Sequence, residues 1–80
     1  MTRADLPEIV LEALSSMKGQ GTIVQICEYI WNNYEQDLRK SGDLFYSWQY
    51  DMRWAGQQLR DTGQLKKASN TPRGVWVVAK

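Results

Sequence analysis

Eighty residues, 42% of them hydrophobic and including four tryptophans and four tyrosines, fit one small folded domain (residues 1–80) and exclude a chain disordered by composition. The single cysteine excludes an internal disulfide, and no apolar run approaches the roughly 20 residues of a membrane span. Ten Lys and Arg against nine Asp and Glu leave a formal net charge of +1, too little for nucleic-acid binding by bulk charge alone.

The first predicted helix covers about residues 6–18. Asp5 with Glu8 three positions later reads as a capping box, and Pro7 is tolerated in the first turn, where its missing N–H has no partner to lose. Leu6, Ile9, Val10, Ala13, Leu14 and Met17 recur at steps of three and four and form an apolar stripe. Gly19 and Gly21 end it, and Gln20–Thr22 has room for a very short strand at a sheet edge. Thr22 with Gln25 forms a second capping-box pair. The second helix then runs from 23 to an end between 34 and 39, with Ile23, Cys27, Ile30, Tyr34 and Leu38 on its apolar face and Ile26 and Trp31 on the shoulders.

Lys40-Ser41-Gly42-Asp43 is turn chemistry. A third helix follows from about Phe45 to Thr62, with Gly63 as its left-handed terminator. Phe45, Trp48, Met52, Ala55 and Leu59 share its inner face; Tyr46, Tyr50, Arg53, Gln57 and Arg60 share the opposite one. The tail changes character. Leu65–Ala68 reads as a strand, Ser69–Gly74 as a turn, and Val75–Ala79 as a β-branched strand, which together make a hairpin. Trp54 and Trp76 are expected to pack the third helix against that hairpin, and Cys27 to fill the core.

The charge is unevenly placed. Residues 1–45 balance at −3 and residues 46–80 at +4, which concentrates cations on the third helix and the hairpin. Three helices followed by a hairpin is the order of a winged helix-turn-helix, an α+β, mainly helical fold. The expected mode of action is duplex DNA binding, with the third helix in the major groove and the hairpin wing on backbone or minor groove. Candidate contacts are Tyr46, Gln49, Tyr50, Arg53, Gln57 and Arg60 on the helix and Lys66, Lys67 and Arg73 on the wing. Arginine suits guanine O6 and N7, glutamine suits adenine N6 and N7, and the lysines suit phosphate.

The run from Met52 to Leu65, followed by Arg73-Gly74-Val75-Trp76, resembles the N-terminal winged-helix domain of Mrr-type restriction proteins. That family tends to show an Arg-Trp-Ala start, a leucine four residues after the alanine and an Arg-Gly-Val-Trp wing strand. This chain departs from it at Gln64, which separates Gly63 from Leu65, and no nuclease domain follows Trp76 in the sequence. The resemblance implies a DNA-recognition module in a restriction or regulatory setting, standing alone or as part of a longer parent protein.

Catalysis lacks its usual agents. There is no histidine for acid–base work or zinc, no partner for a thiol dyad and no glycine-rich phosphate loop. No enzyme activity, cofactor, metal or small-molecule substrate is therefore expected. The location expected is cytoplasmic, at the nucleoid when DNA is bound. The alternative is a winged helix used for protein interaction or homodimerisation, for which Trp31, Tyr46, Tyr50 and Trp54 are the candidate surface.

Overall fold

The structure is a computed structural model and describes residues 1–79. Its elements are α1 (Leu6–Ser16), β1 (Gln20–Thr22), α2 (Ile23–Arg39), α3 (Leu44–Asp61) and β2 (Val75–Val77), with single 3-10 turns at Arg3–Asp5 and Ala68–Asn70. The class is α+β and mainly helical, with one small antiparallel sheet.

The start of α1 differs from expectation. Asp5 itself has helical torsions and makes no cap bond with its side chain. Its carboxylate turns back and accepts the Thr2 N–H at 2.8 Å, because the 3-10 turn ahead of α1 already carries the chain into the helix. The Thr22–Gln25 pair behaves as a reciprocal box. The Gln25 N–H donates to Thr22 Oγ1 at 3.1 Å, and the Thr22 N–H donates to Gln25 Oε1 at 2.9 Å. At the far end of α1, Lys18 and Gly19 take positive φ and the Gly19 N–H closes on the Leu14 carbonyl at 2.8 Å, so the helix stops two residues early.

α2 is interrupted at Tyr34, whose backbone (φ −128°, ψ 16°) is not helical. That accounts for a sequence pattern whose end falls between 34 and 39. The buried line of α2 is Ile26, Ile30 and Leu38, so Ile26 is central and Ile23, Cys27 and Tyr34 are only half-buried. The shift arises because α2 is wedged between two neighbours. Tyr29 reaches α1, while Cys27 meets Met52 (S–S 3.6 Å) and Trp31 stacks on Trp48 of α3.

A polar clasp ties α1 to α2. Glu12 accepts the Tyr29 hydroxyl at 2.6 Å and the Tyr34 hydroxyl at 2.7 and 2.9 Å. The Tyr29 and Tyr34 hydrogen bonds hold the Glu12 carboxyl below its ordinary range, and the same carboxylate pushes Tyr34 up to about 12.

The expected hairpin is replaced by a different pairing. β2 lies antiparallel to β1, in the register Gln20–Val77, Gly21–Trp76 and Thr22–Val75. The segment 65–68 contributes one bridge, Leu65 to Val78, supported by Lys66 N–H to Val77 C=O at 2.9 Å and Ala79 N–H to Gln64 C=O at 3.0 Å. Beyond Lys67 the chain turns on itself. The Asn70 N–H donates to the Lys67 carbonyl at 2.9 Å, and the Thr71 hydroxyl donates to the Ala68 carbonyl at 3.3 Å. These local bonds take up groups that a longer ladder would need.

The core joins Leu6, Val10 and Leu14 of α1 to Ile26 and Ile30 of α2, Trp48, Met52 and Leu59 of α3, and Leu65 and Trp76 beyond it. Trp76 presses on α3 at Gly56, as expected of it. A Cβ built on Gly56 would stand 2.5–2.9 Å from three indole carbons. Trp54 does not share this task. It lies on the other side of α3, where the Arg3 guanidinium covers its ring at 4.1 Å.

Gly56→Ala is expected to lower stability by about 1–2 kcal/mol in urea denaturation, because the displaced indole outweighs alanine's better helix propensity of roughly 1 kcal/mol. A stabilised variant would contradict this packing. The Glu12 clasp gives a pH signature. A folded-state pKa below the unfolded one contributes stability above the unfolded value and loses it as pH falls through the folded one. The difference in urea midpoint between the parent chain and Glu12→Gln should therefore be largest near neutrality and shrink steadily as pH falls below about 4.5.

Candidate nucleic-acid interface

α3 is 18 residues long, roughly 27 Å at 1.5 Å per residue, and only one side of it faces the core. Leu44, Trp48, Met52, Ala55, Gly56 and Leu59 are buried. The opposite side brings together Tyr46, Gln49, Tyr50, Arg53 and Gln57, all exposed as expected. Tyr46 is 86% and Tyr50 77% exposed, far more than an aromatic side chain needs for packing. No carboxylate lies among them. Asp51 faces elsewhere and accepts the Ser47 hydroxyl at 2.8 Å, and Asp61 sits at the margin, accepting Gln57 Nε2 at 2.9 Å. Arg53 makes no ion pair among the described residues.

This face continues into a groove of about 780 Å³ between α2 and α3, lined by Ile23, Val24, Cys27, Glu28, Trp31, Asn32, Phe45, Trp48 and Gln49. Val24, 68% exposed, belongs to this surface. It lies outside the apolar stripe of α2, and an aliphatic residue off the stripe was the sequence signal for it. Cys27 lines the groove instead of sitting wholly in the core. Burial pushes its thiol above the ordinary range, while nearby Arg53 acts the other way. An aromatic group closes the far side. Trp31 and Trp48 stack with centroids 6.4 Å apart, and Phe45 meets Tyr46 edge-on at 5.0 Å. Arg39, paired with Glu35 at 2.8 Å, lies over Trp31 at 5.2 Å.

Arg60 stands apart from the other helix candidates. It is half-buried, its guanidinium lies 5.5 Å from the Trp76 ring centroid, and its Nε is covered without a hydrogen-bond partner. It lines a smaller cavity of about 310 Å³ with Arg73 and the 71–74 turn. Lys66, Lys67 and Arg73 are all exposed. Ile23 borders both the groove and this cavity, so the two are neighbours at the junction of β1 and α2.

No family model, curated protein or solved structure matches the chain. No helix among the described residues is long and apolar enough to cross a membrane, and no group of His, Cys, Asp and Glu among them is placed to hold a metal ion.

Tyr50 makes no hydrogen bond among the described residues. Tyr50→Ala should leave the urea midpoint nearly unchanged, within about 0.5 kcal/mol. A larger loss would show that the ring is part of the fold instead of an open surface.

Proposed function

We propose that the chain is a duplex-DNA-binding module of the winged-helix kind, with α3 entering the major groove. The observation that carries this reading is the outward face of α3: two tyrosines, two glutamines and an arginine exposed in a row, with Asp61 the carboxylate at its end. The major groove, about 12 Å wide, admits a helix. In that setting Arg53 has the fork to engage guanine O6 and N7, and Gln57 exchanges its bond to Asp61 for an adenine edge. Tyr46, Gln49 and Tyr50 donate to phosphate oxygens and set the register. The loop from Lys66 to Arg73 supplies cations to the adjoining backbone as the wing, although its strand pairing is shorter than a full hairpin.

The resemblance of residues 52–76 to the N-terminal domain of Mrr-type restriction proteins supports the same reading. On this reading the chain is a recognition part of a restriction or regulatory system, without catalysis of its own, acting in the cytoplasm. With a net charge of +1, a second copy or a longer parent protein supplies the remaining affinity.

The groove beside α3 favours a second reading, a protein-interaction module. Apolar side chains and the exposed Val24 border that groove, and such a surface suits a partner chain. The two readings separate on one titration. Arg53→Glu is expected to weaken binding to mixed-sequence duplex DNA about tenfold or more, and Lys67→Gln to reduce the slope of log K against log salt by about 1. Unchanged affinity and slope, together with a stable dimer in sedimentation, would favour the interaction module.

A further inference from the structure

The cavity under the 68–74 loop is distinct from the outward face of α3. Its lining includes two arginines, Arg60 from the end of α3 and Arg73 from the loop, with no carboxylate. Asp61, next to Arg60 in the chain, is engaged by Gln57.

Arg60 is not free to swing. Its guanidinium is seated on Trp76 and its Nε is sealed from water without an acceptor. With Nε covered, the terminal nitrogens are the part of the group left to meet an acceptor. The backbone at Arg73 is set by a tight turn on the loop side of the cavity. The Val75 N–H closes on the Pro72 carbonyl at 3.1 Å, and Gly74 takes φ +77°, a conformation glycine adopts without strain. The Thr71 hydroxyl is committed to the Ala68 carbonyl at 3.3 Å, so the guanidinium groups are the charged donors the cavity offers. Two guanidinium-bearing residues lining one small cavity without a carboxylate suit a tetrahedral oxyanion in charge.

We propose that this cavity is a phosphate-binding site, in which one phosphate group bridges the terminal nitrogens of Arg60 and the guanidinium of Arg73. The proposal rests on the duplex reading only for the source of the phosphate, which is either a passing DNA strand or a free phosphate ion. Trp76 acts as the floor that positions Arg60. Arg73 is the exposed member that closes on the anion.

The test is an NMR titration of the full chain with inorganic phosphate, matched in ionic strength by sodium chloride. Phosphate should shift the Arg60 Nε–H and the amides of Arg73 and Gly74 in a saturable manner, with chloride leaving them in place. Arg73→Gln, a change at an exposed loop residue, should weaken that response about tenfold. Phosphate shifts no different from those of chloride, or a response untouched by Arg73→Gln, would overturn the site. A parallel titration with a short duplex identifies the source. Movement of the same signals, lost in Arg73→Gln, assigns the phosphate to the DNA strand. A saturable phosphate response without any duplex binding keeps the site and removes the duplex reading. Duplex shifts confined to α3, with the loop silent to both ligands, remove the site and keep the duplex reading.

Discussion

Trp76 meets α3 at a glycine, and much of the arrangement depends on that contact. The indole occupies the space a side chain at position 56 would need, so β2 lies directly against the helix. An aromatic side chain of this size buries on the order of 200 Å². At about 25 cal/mol per Å² that is roughly 5 kcal/mol of transfer free energy before the cost of ordering, a large share for an 80-residue domain. With Trp76 seated, Val75 and Val77 fall into register with Thr22 and Gln20, and Val78 with Leu65.

The same contact shapes the surface. By drawing β2 onto the C-terminal half of α3, it brings the 68–74 loop beside Arg60 and traps that side chain over the indole. Arg60 thereby leaves the row of exposed residues on α3 and joins the loop. Tyr46, Gln49, Tyr50, Arg53 and Gln57 remain open because the core occupies only the opposite side of the helix. A cation fixed by packing and a row of open hydrogen-bonding side chains are different instruments. The first suits a single anion at a set position, and the second a surface of variable chemistry.

α2 holds the other half together by two unlike means. Towards α1 it offers the hydroxyls of Tyr29 and Tyr34 to one carboxylate, a directional clasp at the protein surface. Towards α3 it offers Cys27 and Trp31, which pack on Met52 and Trp48 without direction. Both sets of contacts begin before the break at Tyr34, from residues 27–31 on different sides of one helix. The groove that remains between α2 and α3 keeps Val24 and Gln49 at its edge, next to the outward face of α3.

Local chemistry in the sequence determined the three helices, the Thr22–Gln25 cap, the left-handed stop at Gly63 and the division of α3 into an inner and an outer side. Each follows from spacing along one helix or from a bond between near neighbours, and both are visible in a linear chain. Tertiary structure decided what periodicity cannot express. It chose Gln20–Thr22 over residues 65–68 as the main partner of Val75–Val77, because the bonds made by Asn70 and Thr71 end the second segment early. It turned Asp5 from a cap of α1 into an acceptor for Thr2, placed Trp54 under Arg3, and moved Ile26 to the centre of α2. It also separated Arg60 from Arg53, although both stand on one helical face in the sequence. Which of two neighbouring cations is caught depends on where a distant tryptophan lands, and that is a property of the packed chain.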